Sequence, residues 1–156
     1  MEVVKSILAL DPATACGWAL SPDLSGTWDL SVRRDESSGM RLIRLRSKLA
    51  EALKAEPFQL LVYEAARHAA PKMQGALVIQ ATLQGVIQIW AHDNNVEIRG
   101  YSPTELKKYA TGKGNAGKPA MLEAANKRWP GRKWVDDNQI DALFLWQMAM
   151  DEYANK

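Results

Sequence analysis

Two short apolar runs in this chain each end on an acid, and that pairing limits the folds open to it. Val3 to Leu10 (VVKSILAL) is aliphatic and β-branched and stops at Asp11-Pro12, while Phe58 to Tyr63 (FQLLVY) leads directly into Glu64. A short apolar run bounded by a turn signal reads as a buried strand. Each acid then stands at the carboxyl end of a strand, where open α/β sheets present their ligands. Taken singly, either acid has a plain explanation: Asp11 could cap the Pro12 turn and Glu64 the next helix. Two such acids on two strands ask for more.

The remaining pattern supplies the rest of an α/β fold. Thr14 to Leu20 and Ser25 to Leu30 suggest a second and third strand in an antiparallel meander. From Gly39 to Glu56, Met40, Ile43, Leu45, Leu49 and Leu53 recur at three-to-four spacing among arginines and lysines, an amphipathic helix that stops near Pro57. Met73 to Asn94 is a long, mostly apolar helical stretch, and Val96 to Tyr101 a short strand. Ser102-Pro103-Thr104-Glu105 opens a capped helix, the glycine-rich loop Thr111 to Lys118 precedes another from about Pro119 to Trp129, and a last helix runs from Asp136 to about Tyr153. The expected architecture is a mixed sheet of about five strands, the first three antiparallel, flanked by helices.

Composition narrows the function classes. With 156 residues, 47% hydrophobic and 24% charged, the chain fits one domain over residues 1–156. No run of eighteen apolar residues occurs and charges interrupt the first apolar stretch, so neither a membrane span nor a secretory signal is expected; the protein should be cytoplasmic, with nucleus or organelle open. One cysteine, Cys16, and two histidines, His68 and His92, leave no material for a structural zinc site. Cys16, between Ala15 and Gly17, reads as a small buried filler. Any metal must rely on carboxylates.

A third acid makes that metal plausible. Asp137 and Asp141 lie on one face of the last helix, with Asn138 three before Asp141, inside the apolar run Ile140, Ala142, Leu143, Phe144, Leu145, Trp146. An acid among core-facing residues without a cationic neighbour needs compensation, and a divalent ion shared with Asp11 and Glu64 would supply it. Hard oxygen donors point to Mg²⁺ or Mn²⁺ and hence to phosphodiester hydrolysis. From Arg99 to Lys133 there are nine Lys and Arg against Glu105 and Glu123, an excess of seven that suits a polyanionic partner, although solvated helix faces also collect lysines.

Four blocks in order carry a resemblance over nearly the whole chain: Ile7 to Ala19 around Asp11 and Gly17, Leu61 to Glu64, Ser102 to Lys118, and Asp136 to Leu143. They resemble the RuvC family of Holliday junction resolvases. The resemblance implies a ribonuclease H-like fold, a homodimer, Mg²⁺ dependence and paired nicks in four-way DNA junctions. It implies that Asp11 and Glu64 ligate metal, that Asp141 ligates it or orients water, that Lys118 is a catalytic lysine near the scissile phosphate, and that Lys107 contacts phosphate. Lys108, Lys113 and Asn115 would face the same DNA backbone. Where the family commonly has an acid three before the final Asp, this chain has Asn138, so the fourth ligand is Asn138 by face geometry or Asp137 by charge. The segment after Glu64 lacks the family's junction-wedging aromatic, leaving Arg67 or His68 to contact the crossover, with Lys72 as a further DNA-binding residue.

The helix from Met73 to Trp90 could present core on one face and a dimer seam on the other. The six tryptophans read as core, with Trp134, in a loop beside basic residues, as the one that could stack on a base. Other readings are a ribonuclease H-like nuclease for flaps or RNA–DNA hybrids, an actin-like phosphate-loop ATPase, for which the chain is too short, and a junction-binding protein that does not cut, against which the acids argue.

Overall fold

The computed structural model describes residues 3–65 and 74–154. Strands β1 (Ile7–Asp11), β2 (Ala15–Ser21), β3 (Leu24–Asp29), β4 (Leu60–Glu64) and β5 (Glu97–Tyr101) form one sheet in the order β3-β2-β1-β4-β5. The first three make an antiparallel meander, and β4 and β5 join parallel to β1. Parallel neighbours need long crossovers, supplied by α1 (Gly39–Ala55) before β4 and α2 (Gln74–Asp93) before β5. Helices α3 (Pro103–Thr111), α4 (Lys118–Arg128) and α5 (Asp137–Ala149) follow, and α5 runs on into a π-helical turn, Met150–Ala154. The fold is the mixed five-stranded α/β arrangement expected from the sequence, except that each acid is the last residue of its strand rather than the residue after it, and β1 begins only at Ile7. Among the described residues no helix is long and apolar enough to cross a membrane.

The two-residue period of the strands decides which way the acids face. On β1, Leu8 and Leu10 join the core under α1 and α2, whereas Ile7 and Ala9 join the core under α5. On β4, Leu61 and Tyr63 take the first side, Leu60 and Val62 the second. Asp11 continues the series of Ile7 and Ala9, and Glu64 that of Leu60 and Val62. Because Leu10 is aligned with Tyr63 in the parallel pair, the acids come next to each other on the α5 side of the sheet.

Helix α5 reaches that end because of one glycine. Gly17 pairs directly with Asp11 across β1 and β2, and a Cβ built on it would stand 1.9 Å from the carbonyl oxygen of Asn138. Only a residue without a side chain lets the first turn of α5 lie against the strand. Side chains then pin that turn. Asp136 accepts hydrogen bonds from the Thr27 hydroxyl at 2.8 Å and from the Gln139 amide at 2.9 Å, while the Gln139 side chain donates to Ser25 Oγ at 3.2 Å. Gln139 Oε1 also accepts from the Val135 amide at 2.7 Å, so the buried glutamine is bonded at both ends.

We therefore expect Gly17→Ala to displace α5 rather than the strand. The predicted loss is about 1–3 kcal/mol of stability, the usual cost of overpacking, together with weakened divalent-ion binding, measured by thermal unfolding with and without ion. An unchanged melting temperature and ion response would show that α5 does not rest on this contact.

Candidate functional site

Asp11, Glu64 and Asp141 each place a carboxylate oxygen within 4.8 Å of the others. Asp11 is 6% exposed and is one of only two buried polar residues among those described. Three carboxylates cannot all ionise at this range in a weakly polar site without compensation. Burial pushes the Asp11 carboxyl well above the ordinary range, and the neighbouring charges of Glu64 and Asp141 push it further. Glu64 is raised chiefly by burial, and Asp141 is pushed up to about 7 by burial and then by Glu64. Hard oxygen donors only, gathered at this range, form a donor set that fits a hard divalent cation.

Among the described residues, Lys107 is the cation whose charge acts on this cluster. The aligned ends of β4 and β5, with Glu64 beside Tyr101, start α3 at the same sheet end. Pro103 occupies its first turn, and Ser102 and Glu105 close a reciprocal capping box. Leu106 is buried in the α5-side core, which turns the half-buried Lys107 toward the acids and leaves Lys108 in solvent. The Lys107 charge draws down the proton affinity of both Glu64 and Asp141 without cancelling the effect of burial. The expectation that Asp141 lacks a cationic neighbour is thus corrected: that neighbour comes from another helix, invisible to local sequence.

The other expected residues are distributed around this centre. Lys118, at the start of α4, forms an exposed ion pair with Asp137 at 3.3 Å. Asp137 stands outside the three-acid group but adds to the field that raises Asp141. Asn138 is half-buried, its backbone carbonyl against Gly17. Lys113 and Asn115 are exposed on the glycine loop, which is a folded turn rather than a slack tether. Gly112, at φ 86°, ends α3 in the left-handed conformation, the Lys113 amide donates to Thr111 Oγ1 at 3.1 Å, and Gly114 packs on Thr104. Arg67, His68 and Lys72 lie outside the described residues.

Trp134 departs from its sequence reading, and Cys16 keeps to its own. Trp134 packs edge-on against Trp129, 6.0 Å between ring centroids, and its Nε1 donates to Asn126 at 3.0 Å, so it belongs with the aromatic core rather than standing free for a base. Cys16 is fully buried on the opposite face of the sheet, and burial pushes its thiol far above the ordinary range, as suits a filler. Sequence reasoning missed the Asp136–Thr27 bond that orients α5; the Asp136-x-x-Gln139 cap was its only local signal.

No protein-family model matches the chain. A crossover junction endodeoxyribonuclease RuvC from Brachyspira hyodysenteriae is 37% identical over 65 residues, an alignment covering 42% of this chain and 40% of that protein. Thermus thermophilus RuvC superposes with a TM-score of 0.70 over 97% of this chain and 98% of that one, at 14% identity. The chain has the fold of RuvC. RuvC of the same organism in complex with a Holliday junction substrate gives a TM-score of 0.71 over 90% of each chain at 17% identity. The yeast mitochondrial Holliday junction resolvase is more distant, with a TM-score of 0.54 over 96% of this chain and 81% of that one. The RuvC-like sheet thus carries its acids where β1, β4 and α5 converge.

The acids also set a pH signature for the ion-free protein. All three bind protons more tightly in the folded chain than in the unfolded one, so stability falls as pH rises from the ordinary carboxylate range through about 7. We expect the melting temperature of chelator-treated protein to drop between about pH 5 and about pH 8, Asp141→Asn to flatten the slope, and divalent ion to restore the loss. A melting temperature that is level or rising over this window in ion-free wild type would contradict the strained cluster.

Proposed function

We propose that the chain is a metal-dependent endonuclease that resolves four-way or otherwise branched DNA by paired phosphodiester hydrolysis. The observation supporting this reading most directly is the meeting of three hard oxygen donors at a sheet end that also receives a half-buried lysine. The relatives point the same way: the Brachyspira protein is named a crossover junction endodeoxyribonuclease, and one Thermus structure holds a Holliday junction. The chain spans about 40% of the length of that curated relative in the alignment, so junction cleavage is carried over here as a proposal.

Asp11, Glu64 and Asp141 would hold Mg²⁺ or Mn²⁺, with Asn138 as the further oxygen, since Asp137 stands outside the three-acid group. When bound, such an ion supplies activation of water and neutralisation of charge on the phosphate. Lys107 would hold a phosphate oxygen beside the acids. Lys118 would leave its exposed pair with Asp137, which is worth little in solvent, and approach the scissile phosphate. Lys108, Lys113 and Asn115 would bind backbone phosphates along the glycine turn, and Arg67, His68 and Lys72 would contact the crossover.

Paired nicks need two sites, and α2 offers a seam for a second copy. Val78 and Ile89 are 63% and 69% exposed and follow a stripe with Gly75, Thr82 and Gly85 on the face away from the buried Leu83, Ile87 and Trp90. The place of action would be the cytoplasm of a bacterial or phage-infected cell, where branched DNA arises.

The test offers synthetic four-way junction, linear duplex and RNA–DNA hybrid to the protein with Mg²⁺ or Mn²⁺. Cleavage is expected on the junction alone, in symmetrically placed strands. Equal cutting of all three would remove the resolvase assignment while leaving a nuclease. Asp11→Asn and Asp141→Asn should abolish cleavage and keep junction binding, because they remove ion ligands and leave the basic contacts. Loss of binding in either folded variant would count against the separation of roles.

A further inference from the structure

A second basic surface lies on the opposite flank of the acids from α3 and α4. Between Arg33 and Lys48 the chain carries five arginines and one lysine against Asp35 and Glu36. Strand β3 runs in the same direction as β1, and Ala15 pairs with Asp29, so the chain leaves β3 at the sheet end that bears the acids. The link from β3 to α1 therefore starts at that sheet end, and the first turn of α1 follows it over the face of the sheet opposite the acids. The two basic segments start from opposite edge strands, β3 and β5, which lie four strand spacings, roughly 20 Å, apart.

The link is held in shape by its own acids. The Ser31 amide donates to Asp29 at 2.9 Å, the Leu30 amide to the Thr14 carbonyl at 2.8 Å, and the Arg33 amide to Glu36 at 2.6 Å. Arg44 binds the other Glu36 oxygen and donates to the Ser31 carbonyl at 2.8 Å. Glu36 is thus spent on Arg44 and on a backbone amide. Among the described residues Arg33, Arg34, Arg41 and Arg46 form no ion pair, and the buried Nε of Arg41 has no hydrogen-bond partner. A hydrogen-bonded loop presenting exposed guanidinium groups outside any ion pair suits phosphate oxygens, which the planar fork binds in pairs.

We propose that Arg33, Arg34 and Arg41 grip the backbone of a second DNA duplex arm, on the far side of the acids from the arm held by Lys107 and the glycine turn. The inference rests on the proposed action on branched DNA and adds where the second arm goes. A branched molecule offers each flank its own duplex, whereas a linear duplex engages one flank at a time. This surface should therefore contribute to branch preference more than to DNA binding in general.

The experiment compares wild type with Arg33→Ala/Arg34→Ala, both side chains being exposed, by fluorescence anisotropy over a salt series in Ca²⁺ to prevent cleavage. The probes are a four-way junction and a linear duplex of one arm's sequence. Junction affinity should fall about tenfold, with the log–log salt slope flattened by roughly 2 for two lost contacts, while duplex affinity changes less than about twofold. Circular dichroism and melting temperature should match wild type. An unchanged junction affinity and slope would overturn the proposal, as would an equal loss on both probes. If wild type bound neither probe, the function itself would fail; if Lys107→Ala weakened the junction and the arginine pair did not, only this second-arm surface would.

Discussion

The backbone of α5 lies directly against the backbone of β2 at Gly17, and the geometry of the acids follows from that contact. Asp11 is the residue across the strand pair from Gly17, so wherever α5 touches the glycine it brings the helix turn ahead of Asp141 close to Asp11. A methyl group at this position would meet the Asn138 carbonyl well inside contact distance. The bonds from Asp136 to Thr27 and from Gln139 to Ser25 fix the helix against sliding along the sheet. Five residues from two strands and a helix start thus hold a constellation whose own charges oppose it.

That opposition is the chemical content of the site. Carboxylates whose proton affinities are raised by burial, and at Asp11 and Asp141 also by a neighbouring acid, cost stability, and apolar packing elsewhere sustains the cost through the cores on either face of the sheet. Lys107 moderates the field without neutralising it, which leaves an acidic pocket suited to a cation and a nearby ammonium suited to a phosphate. Opposite preferences within one electrostatic field are what a hydrolase of a polyanion would require of its centre.

Much of this was legible in the sequence, for identifiable reasons. Strand ends at Asp11 and Glu64 are readable because a buried strand is a short apolar run with a sharp polar stop, and the two-residue period then assigns both acids to one face. The inward turn of Lys107 was not readable beside Lys108, because the burial of Leu106 under α5 decides it. Helix α5 hid its orientation for another reason: Ile140, Ala142, Leu143, Phe144, Leu145 and Ala149 are all buried, so no polar face marks which side meets the sheet. Trp134 reads as a loop residue among basic neighbours, and only the approach of Trp129 and Asn126 shows it to be packed. In each case the deciding partner lies on a different element.

The central claim is that Asp11, Glu64 and Asp141 together form the binding site of a catalytic divalent ion. A crystal grown with Mn²⁺ and measured at its absorption edge tests it most directly. The account predicts an anomalous peak bounded by these three carboxylates, on the α5 side of the ends of β1 and β4. An ordered Mn²⁺ peak elsewhere, with the three acids left bonded to one another, would contradict it.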